Sequence, residues 1–486
     1  MKKQTSAYIQ FSDVFKIGVG PSSSHTIGPM RAANHFVKSL QENEILEKVF
    51  FVNCNLWGSL AATGIGHKTP DAIIAGLQGF TPSNFKPKKL FISWGEIINK
   101  KNQILPLNNS QEVNFTPQNM IFSPNQHNSI HPNYFYLQAF NQEKHEIFRI
   151  DYLSIGGGNI SFKTLNDKEF QFLPNPGYQY QPQENRTDFI NTKELFLKAK
   201  KYNLSLDEIA IEQEIAHSKE EITKEDVYLQ VDKVWKAMES SIRNGLEVKN
   251  KDDLSPVIQK ELGIKKRAPK MYQTYLERRR QGKSATIETL SCYALAVNEQ
   301  NAIGGRIVTA PTTGSAGVIP AVLQEYIDRD DLDPTTGHFE QRDKIRKFLL
   351  TASVIGSIIK YNGSVSGAEC GCQAEVGSAC AMAAAGSVAV CGGSLEQIEA
   401  AAESALEYHL GLTCDPVKGL VFVPCIERNA MAANTAVTAA RLALAGDGHH
   451  VVSLDTVIET MRQTGVDMNE AYRETAKAGL ATHVSC

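Results

Sequence analysis

A chain of 486 residues exceeds one ordinary domain, so two are expected. Its 42% hydrophobic and 21% charged residues supply ample apolar material for a core, and a formal net charge of −3 speaks against the strongly basic face of a nucleic-acid binder. The opening MKKQTSAYIQFSD carries two lysines with no apolar run after them, and no stretch approaches the roughly 18 consecutive apolar residues of a membrane span; a cytoplasmic chain with no membrane partner is expected.

Residues 1–160 read as a small α/β domain. A Gly- and Pro-bounded loop, Gly18–Pro29, leads into a helix over Met30–Leu40. Val49–Asn55 (VFFVNCN) has strand composition, and Thr69–Gly79 reads as a helix through Asp71, Ile73, Ile74 and Leu77. Asn99–Pro132, rich in Asn, Gln, Ser and Pro, reads as loop with short strands. Asn133–Phe140 and Ile147–Ile155 are β-rich runs around the polar turn Asn141–Lys144, the pattern of a hairpin. Gly156–Gly158 punctuates the chain, and residues 161–192 read as a linker, extended across Asp167–Asp188 around NPGYQYQPQEN.

From 193 to 486 helices dominate. Leu204–His217 and Lys224–Asn244 place apolar residues at helical spacing. Ser394 heads a capping box with Gln397, opening a helix that Gly411 stops. Further helices run from about Glu427 to Ala445 and from Ser453 to Gly465. The expected fold class is therefore α+β: a small N-terminal α/β domain followed by an all-α domain, whose many Ala and Gly residues let helices approach closely around a buried centre.

The cysteines carry the first chemical signal. Of nine, only Cys54 and Cys292 precede position 370. Such clustering does not suit a secreted disulfide framework, and in a reducing compartment it points to metal or catalysis. Cys372, Cys414 and Cys425 lie 42 and 11 residues apart, each next to or near Pro or Gly, where free backbone amides stabilise thiolates. Three thiolate ligands on a [4Fe–4S] cluster would leave one iron open as a Lewis acid. Spacing alone leaves a zinc site or inert buried thiols equally open.

Hydroxyl-rich loops carry the second signal. GVGPSSSHTIGP presents Ser22, Ser23, Ser24, His25 and Thr26, suited to a small anion such as a carboxylate or to a capped helix start. GSLAATGIGHKTP places His67 in a Gly-rich loop, as a base candidate or a plain surface residue. APTTGSAGVIP, with Thr312, Thr313, Gly314 and Ser315, has the chemistry to cradle a polar ligand, and Asn362-Gly363-Ser364 repeats that chemistry. Ordinary turns account for both as well.

FKIGVGPSSSHTIGPM, GSLAATGIGHKTPDAI, YLSIGGG, GGRIVTAPTTGSAGVIPA, SGAECGCQAEVGSACAMAAAG, LGLTCDPVKGLVFVPCIERNA and MRQTGVDMNEAYRETAKAGLA, in order through nearly the whole chain, resemble the iron–sulfur-dependent bacterial L-serine dehydratases of single-chain type. The resemblance implies an N-terminal domain similar to the allosteric substrate-binding domain of some phosphoglycerate dehydrogenases, an all-helical catalytic domain, and a homodimer. It implies a [4Fe–4S] cluster on Cys372, Cys414 and Cys425, with Cys486 folding back toward the open iron at rest. Two departures stand out: Cys370 where relatives carry an apolar residue, creating a CxC that competes for ligation, and TTGSAG where many read TNGACG.

The implied reaction is α,β-elimination of L-serine to pyruvate and ammonia. His67 is the first choice of base and His25 the second; the Ser22–Thr26 and Thr312–Ser315 loops, with Asn362, are expected to bind the substrate. A pyridoxal-phosphate enzyme with Ser154–Gly158 as its phosphate loop lacks a lysine in a distinctive context. A non-catalytic cluster or zinc redox sensor would have no use for the two hydroxyl loops.

Overall fold

A computed structural model describes residues 6–85, 93–100, 103–174, 185–218, 220–247, 266–330, 338–420 and 422–484. Its strands are β1 (Ile17–Val19), β2 (Phe51–Trp57), β3 (Gln103–Leu107), β4 (Gln111–Phe115), β5 (Met120–Ser123), β6 (Tyr134–Phe140), β7 (Glu146–Ser154), β8 (Ile160–Thr164), β9 (Gln171–Leu173) and β10 (Arg306–Val308). β2 to β9 form one sheet in the order β3-β4-β2-β6-β7-β8-β9, with β5 also paired to β2. The fold is α+β: this N-terminal sheet domain is followed by a helix-rich remainder.

Side-chain alternation explains the sheet. β6 and β7 make the expected hairpin, with Phe135 opposite Tyr152 and Leu137 opposite Ile150, all buried on one face. Helices Gly28–Glu42 and Thr69–Leu77 cover that face, closing Phe36, Val37, Leu40, Ile73 and Ile74 over Val52, Cys54 and Leu56. Each such side chain contributes about 1.5–3 kcal/mol of burial. The Asn-rich stretch before the hairpin does hold short strands. β3 and β4 turn at Asn108 and Asn109, which adopt φ of 47° and 58°, a region Asn tolerates.

Two boundaries differ from the sequence reading. The segment expected to be linker contains β9, which pairs with β8 through Ile160↔Leu173 and extends the sheet; its main chain is held by Arg31, whose Nη2 donates to the Leu173 carbonyl at 3.1 Å. The NPGYQYQPQEN motif falls mainly outside the described residues. At the other end, Ala7, Tyr8, Phe11, Val14 and Phe15 are buried in the helical core rather than under the sheet. β1 then pairs antiparallel with β10, Ile17 opposite Val308. The loop after β1 consequently lies where the two cores meet.

In the helical part, Ser378–Val390 is buried from Ser378 to Ala389 and packs against His338–Asn362, Leu395–Glu407 and Cys425–Ala445. Small residues permit this: a Cβ on Gly386 would stand 2.9 Å from the Phe348 ring. Ser394 and Gln397 form the expected capping box, and Ser453 caps Leu454–Asp467. Among the described residues, no helix is long and apolar enough to cross a membrane.

Candidate metal centre and active-site cavity

Six chain segments and one C-terminal strap meet between the two cores. The first loop enters a π-helical turn, Ser23–Ile27, whose start is capped by Ser22 accepting from the His25 amide. A second π-helical turn, Gln373–Gly377, begins directly after Cys372 and carries Glu375. Single π turns of this kind recur at functional sites because they re-aim side chains. Gly371, at φ +69°, reverses the chain between Cys370 and Cys372; a Cβ there would meet the Leu412 carbonyl at 2.6 Å.

The resulting cavity is lined by Ser22, His67, Thr313, Gly314, Glu375, Cys414, Cys425 and Glu474, with Pro416. Its free volume is about 10 Å³, room for one water-sized group, so a larger guest enters only with outward rotation of these side chains. Cys372, Glu375 and Cys414 bring ligand atoms within 4.8 Å of one another, and so do His25, His67 and Glu474. Cys372 is hydrogen-bonded by the thiols of both Cys414 and Cys425 and lies near the Arg428 guanidinium. These contacts hold its pKa well below the usual thiol value, while the other two thiols are raised by sharing with it. Burial opposes the Arg428 charge, but the Cys372 thiolate and the neighbouring cysteines more than offset it.

The cysteine loops are tied down from outside. Arg428 donates to the Thr413 carbonyl at 2.5 Å and to Asp415 at 3.3 Å. Asn429 donates to the carbonyls of Gly314 and Cys425 at 2.7 and 2.8 Å and accepts from the Gly317 amide, joining the Thr312–Ser315 loop to the helix that starts at Cys425. The strap holds Cys414 by backbone bonds, Cys414 N to Tyr472 O and Glu474 N to Cys414 O, each 2.8 Å. Glu474 is thereby delivered into the cavity.

The imidazoles differ. His25 is buried with its Nδ1 2.8 Å from Ser24 Oγ and 3.5 Å from Glu474 Oε1, and its Nε2 3.0 Å from Thr63 and 3.3 Å from Ser59. Burial lowers its pKa to about 4. His67 is equally buried, yet neither ring nitrogen has a partner among the described residues, and burial together with His25 holds its pKa well below the ordinary value. Glu375 is pushed well above the carboxylate range by burial and the Cys372 thiolate, and Glu474 to about 8 by the same causes.

The sequence-derived candidates sort as follows. Ser22, His67, Thr313, Gly314, Cys414 and Cys425 line the cavity; Ser24, His25 and Cys372 touch residues that do. Ser23 is buried in the turn, and Thr26 binds the His67 carbonyl at 2.7 Å. Thr312 and Ser315 bond to each other at 3.1 Å and stiffen their loop. Asn362 is not brought to the cavity: it ends the helix His338–Asn362 and donates to the Ile190 carbonyl at 2.8 Å. Cys370 turns away and packs on Gly465, its pKa raised to about 11 by burial. Cys486 lies outside the described residues. Glu375, Glu474 and Arg428 were not singled out from the sequence, although each sits inside a motif that was.

The donor set fits a thiolate-bound metal centre. Three thiols converge beside a cation that stabilises negative charge, and a Cβ on Gly367 would intrude to 2.7 Å from Glu375 Oε2 and 3.2 Å from Cys414 Sγ. A two-domain architecture with a buried thiol, carboxyl and imidazole cavity at the junction defines the class. Residues 201–481 match the family profile described as serine dehydratase alpha chain, and residues 10–164 that of the serine dehydratase beta chain. The chain is 40% identical over 478 residues to an L-serine dehydratase of Streptomyces coelicolor, covering 98% of this chain and 99% of that one. It is 39% identical to an L-serine dehydratase of Haemophilus influenzae and to L-serine dehydratase 1 of Escherichia coli, in each case over 98% of this chain and 100% of the relative. The chain belongs to the serine dehydratase family.

Proposed function

We propose that this chain is an L-serine ammonia-lyase that eliminates the β-hydroxyl of L-serine to give pyruvate and ammonia, with a [4Fe–4S] cluster on Cys372, Cys414 and Cys425. The observation that carries the reading is a buried imidazole without a partner, His67, in one cavity with cysteine thiols and two buried carboxyls. When bound, the cluster supplies a Lewis acid for departure of the hydroxyl.

The chain's own groups account for the rest. His67 is neutral at physiological pH and neither ring nitrogen is bonded among the described residues, so its unprotonated nitrogen serves as acceptor for the Cα proton. His25, the second choice, has hydroxyl or carboxyl neighbours at both nitrogens and reads better as a brace. Ser22, Thr313 and the Gly314 backbone offer polar groups to the substrate carboxylate and ammonium. Glu375 and Glu474, biased toward their protonated forms, limit the negative charge of the cavity. Loss of the proton and of hydroxide leaves aminoacrylate, which tautomerises to the imine and hydrolyses to pyruvate and ammonia.

A tail thiolate from Cys486 guarding the centre at rest, a cytoplasmic location and a homodimer belong to the same reading, as does the division expected at 1–160, 161–192 and 193–486 once its first boundary is moved past β9. The narrow free space favours one competing reading, a single metal ion on the three thiols. Anaerobic purification with iron and sulfide analysis and a pyruvate assay on L-serine separates them. Iron with acid-labile sulfide and pyruvate release support the lyase; zinc without sulfide supports the competitor; no pyruvate under anaerobic conditions removes the proposed reaction.

A further inference from the structure

Apart from the cavity, a second and much larger cleft opens between the two domains, with a volume of about 890 Å³, within the range of ligand pockets. One wall is helix Gly28–Glu42 with the loop at Thr81–Asn84; the other is helix Lys224–Leu246. Its charged lining is one-sided. Lys16, Arg31, Lys38, Lys233, Lys236 and Arg306 face it, and among the described residues no Asp or Glu lines it.

Asp13 compensates part of that charge, acting on both Lys16 and Arg31. Lys16 pairs with Asp13 at 3.2 Å. Arg31 binds the carbonyls of Gly158 and Leu173, and Arg306 those of Ser83 and Phe85, so both guanidinium groups are fixed in place by main chain rather than by carboxylates. Lys38, Lys233 and Lys236 are exposed and make no ion pair among the described residues. The field acts on its neighbours: His35, in the same cleft, is lowered to about 4 by burial and then by Lys38 and Arg31. The floor is apolar: Ile17 and Ala237 are half-buried there, backed by the buried Phe15, Ile27 and Val234.

We propose that this cleft binds a nucleoside polyphosphate, bridging the domains with its phosphates on Lys38, Lys233 and Lys236 and its base against the apolar floor. Cations on both walls ask for several negative charges on one molecule, and the floor asks for a flat, weakly polar body beside them. The inference is independent of the reaction proposed above.

The test is calorimetric titration of the full-length protein with adenosine triphosphate, inorganic triphosphate and adenosine, each with chelator present. Saturable binding of adenosine triphosphate is expected, tighter than either fragment, weakening as salt rises. The double variant Lys233→Glu/Lys236→Glu changes two exposed side chains and should weaken it by about tenfold or more, whereas Lys48→Glu, exposed and not lining the cleft, should leave it unchanged. Absence of binding up to about 1 mM, far weaker than functional ligands of this class achieve, overturns the proposal. Affinity unaffected by the double variant overturns the site. Inorganic triphosphate or adenosine binding as tightly as the whole nucleotide overturns the ligand class.

Discussion

The rings of His25 and His67 lie 4.6 Å apart and tilted by 46°, yet among the described residues only His25 is hydrogen-bonded through its ring. Two buried imidazoles side by side, one braced and one idle, divide the labour of the cavity. A buried ring with no partner costs stability, and such a cost is retained where the group has work to do.

Replacing each histidine should therefore have different consequences. His67→Ala is expected to lower turnover by about 10²–10⁴ with the metal spectrum intact. His25→Ala strips Ser24, Thr63 and Ser59 of a buried partner, which should cost roughly 1–3 kcal/mol of stability. Steady-state kinetics, absorbance spectra and denaturant melts on both variants check this. Full turnover in His67→Ala removes that residue from the mechanism.

The cysteines make a sharper contrast. Single Ser substitutions of Cys372, Cys414 and Cys425 should each reduce retained iron and sulfide by more than about tenfold. Cys370→Ser should retain both, because its thiol packs against Gly465 and not against the other three. Metal and sulfide content per chain, measured anaerobically, decides; loss in Cys370→Ser with retention in Cys372→Ser would contradict the assignment.

Asn429 links two loops through three backbone bonds. Asn429→Ala should cost about 1.5–4.5 kcal/mol, the sum of three bonds typically worth about 0.5–1.5 kcal/mol each. Because the Thr312–Ser315 loop and Cys425 both hang on this side chain, KM for L-serine should also rise. A melt unchanged from wild type would show that the loops are held by other contacts.

His35 supplies a pH test away from the metal ligands. Its folded pKa of about 4 lies below the ordinary 6.5, so the unfolded chain binds more protons between those values. Its contribution is present above pH 6.5 and is lost as pH falls toward 4, amounting to roughly 2 kcal/mol between pH 7 and pH 5. His35→Gln keeps a polar partner for Tyr152, which His35 meets at 3.0 Å, while removing the titration. Urea melts at both pH values should show a smaller acid loss in the variant; equal losses would mean that His35 titrates normally in the fold.

Local features were legible because their causes are local. The capping box at Ser394, the β6–β7 hairpin and the helix after Pro424 follow from neighbours a few residues apart. β9 escaped notice because three residues carry too little periodicity against a Pro-rich background. Asn362 looked like a ligand group in a polar triplet, but a helix end next to Ile190 claimed its amide.

Residue type and Gly or Pro context made Cys372, Cys414 and Cys425, and the hydroxyl loops around His25 and His67, candidates from the sequence alone, while leaving open what the thiols hold. Only tertiary structure decided what completes the cavity. Glu474 reaches Ser24 across 450 residues of chain, Glu375 is turned toward Cys414 by a π-helical turn, and β1 pairing with β10 seats the first loop between the two cores. Contacts at that separation depend on how whole elements pack, and no local pattern of residues encodes them.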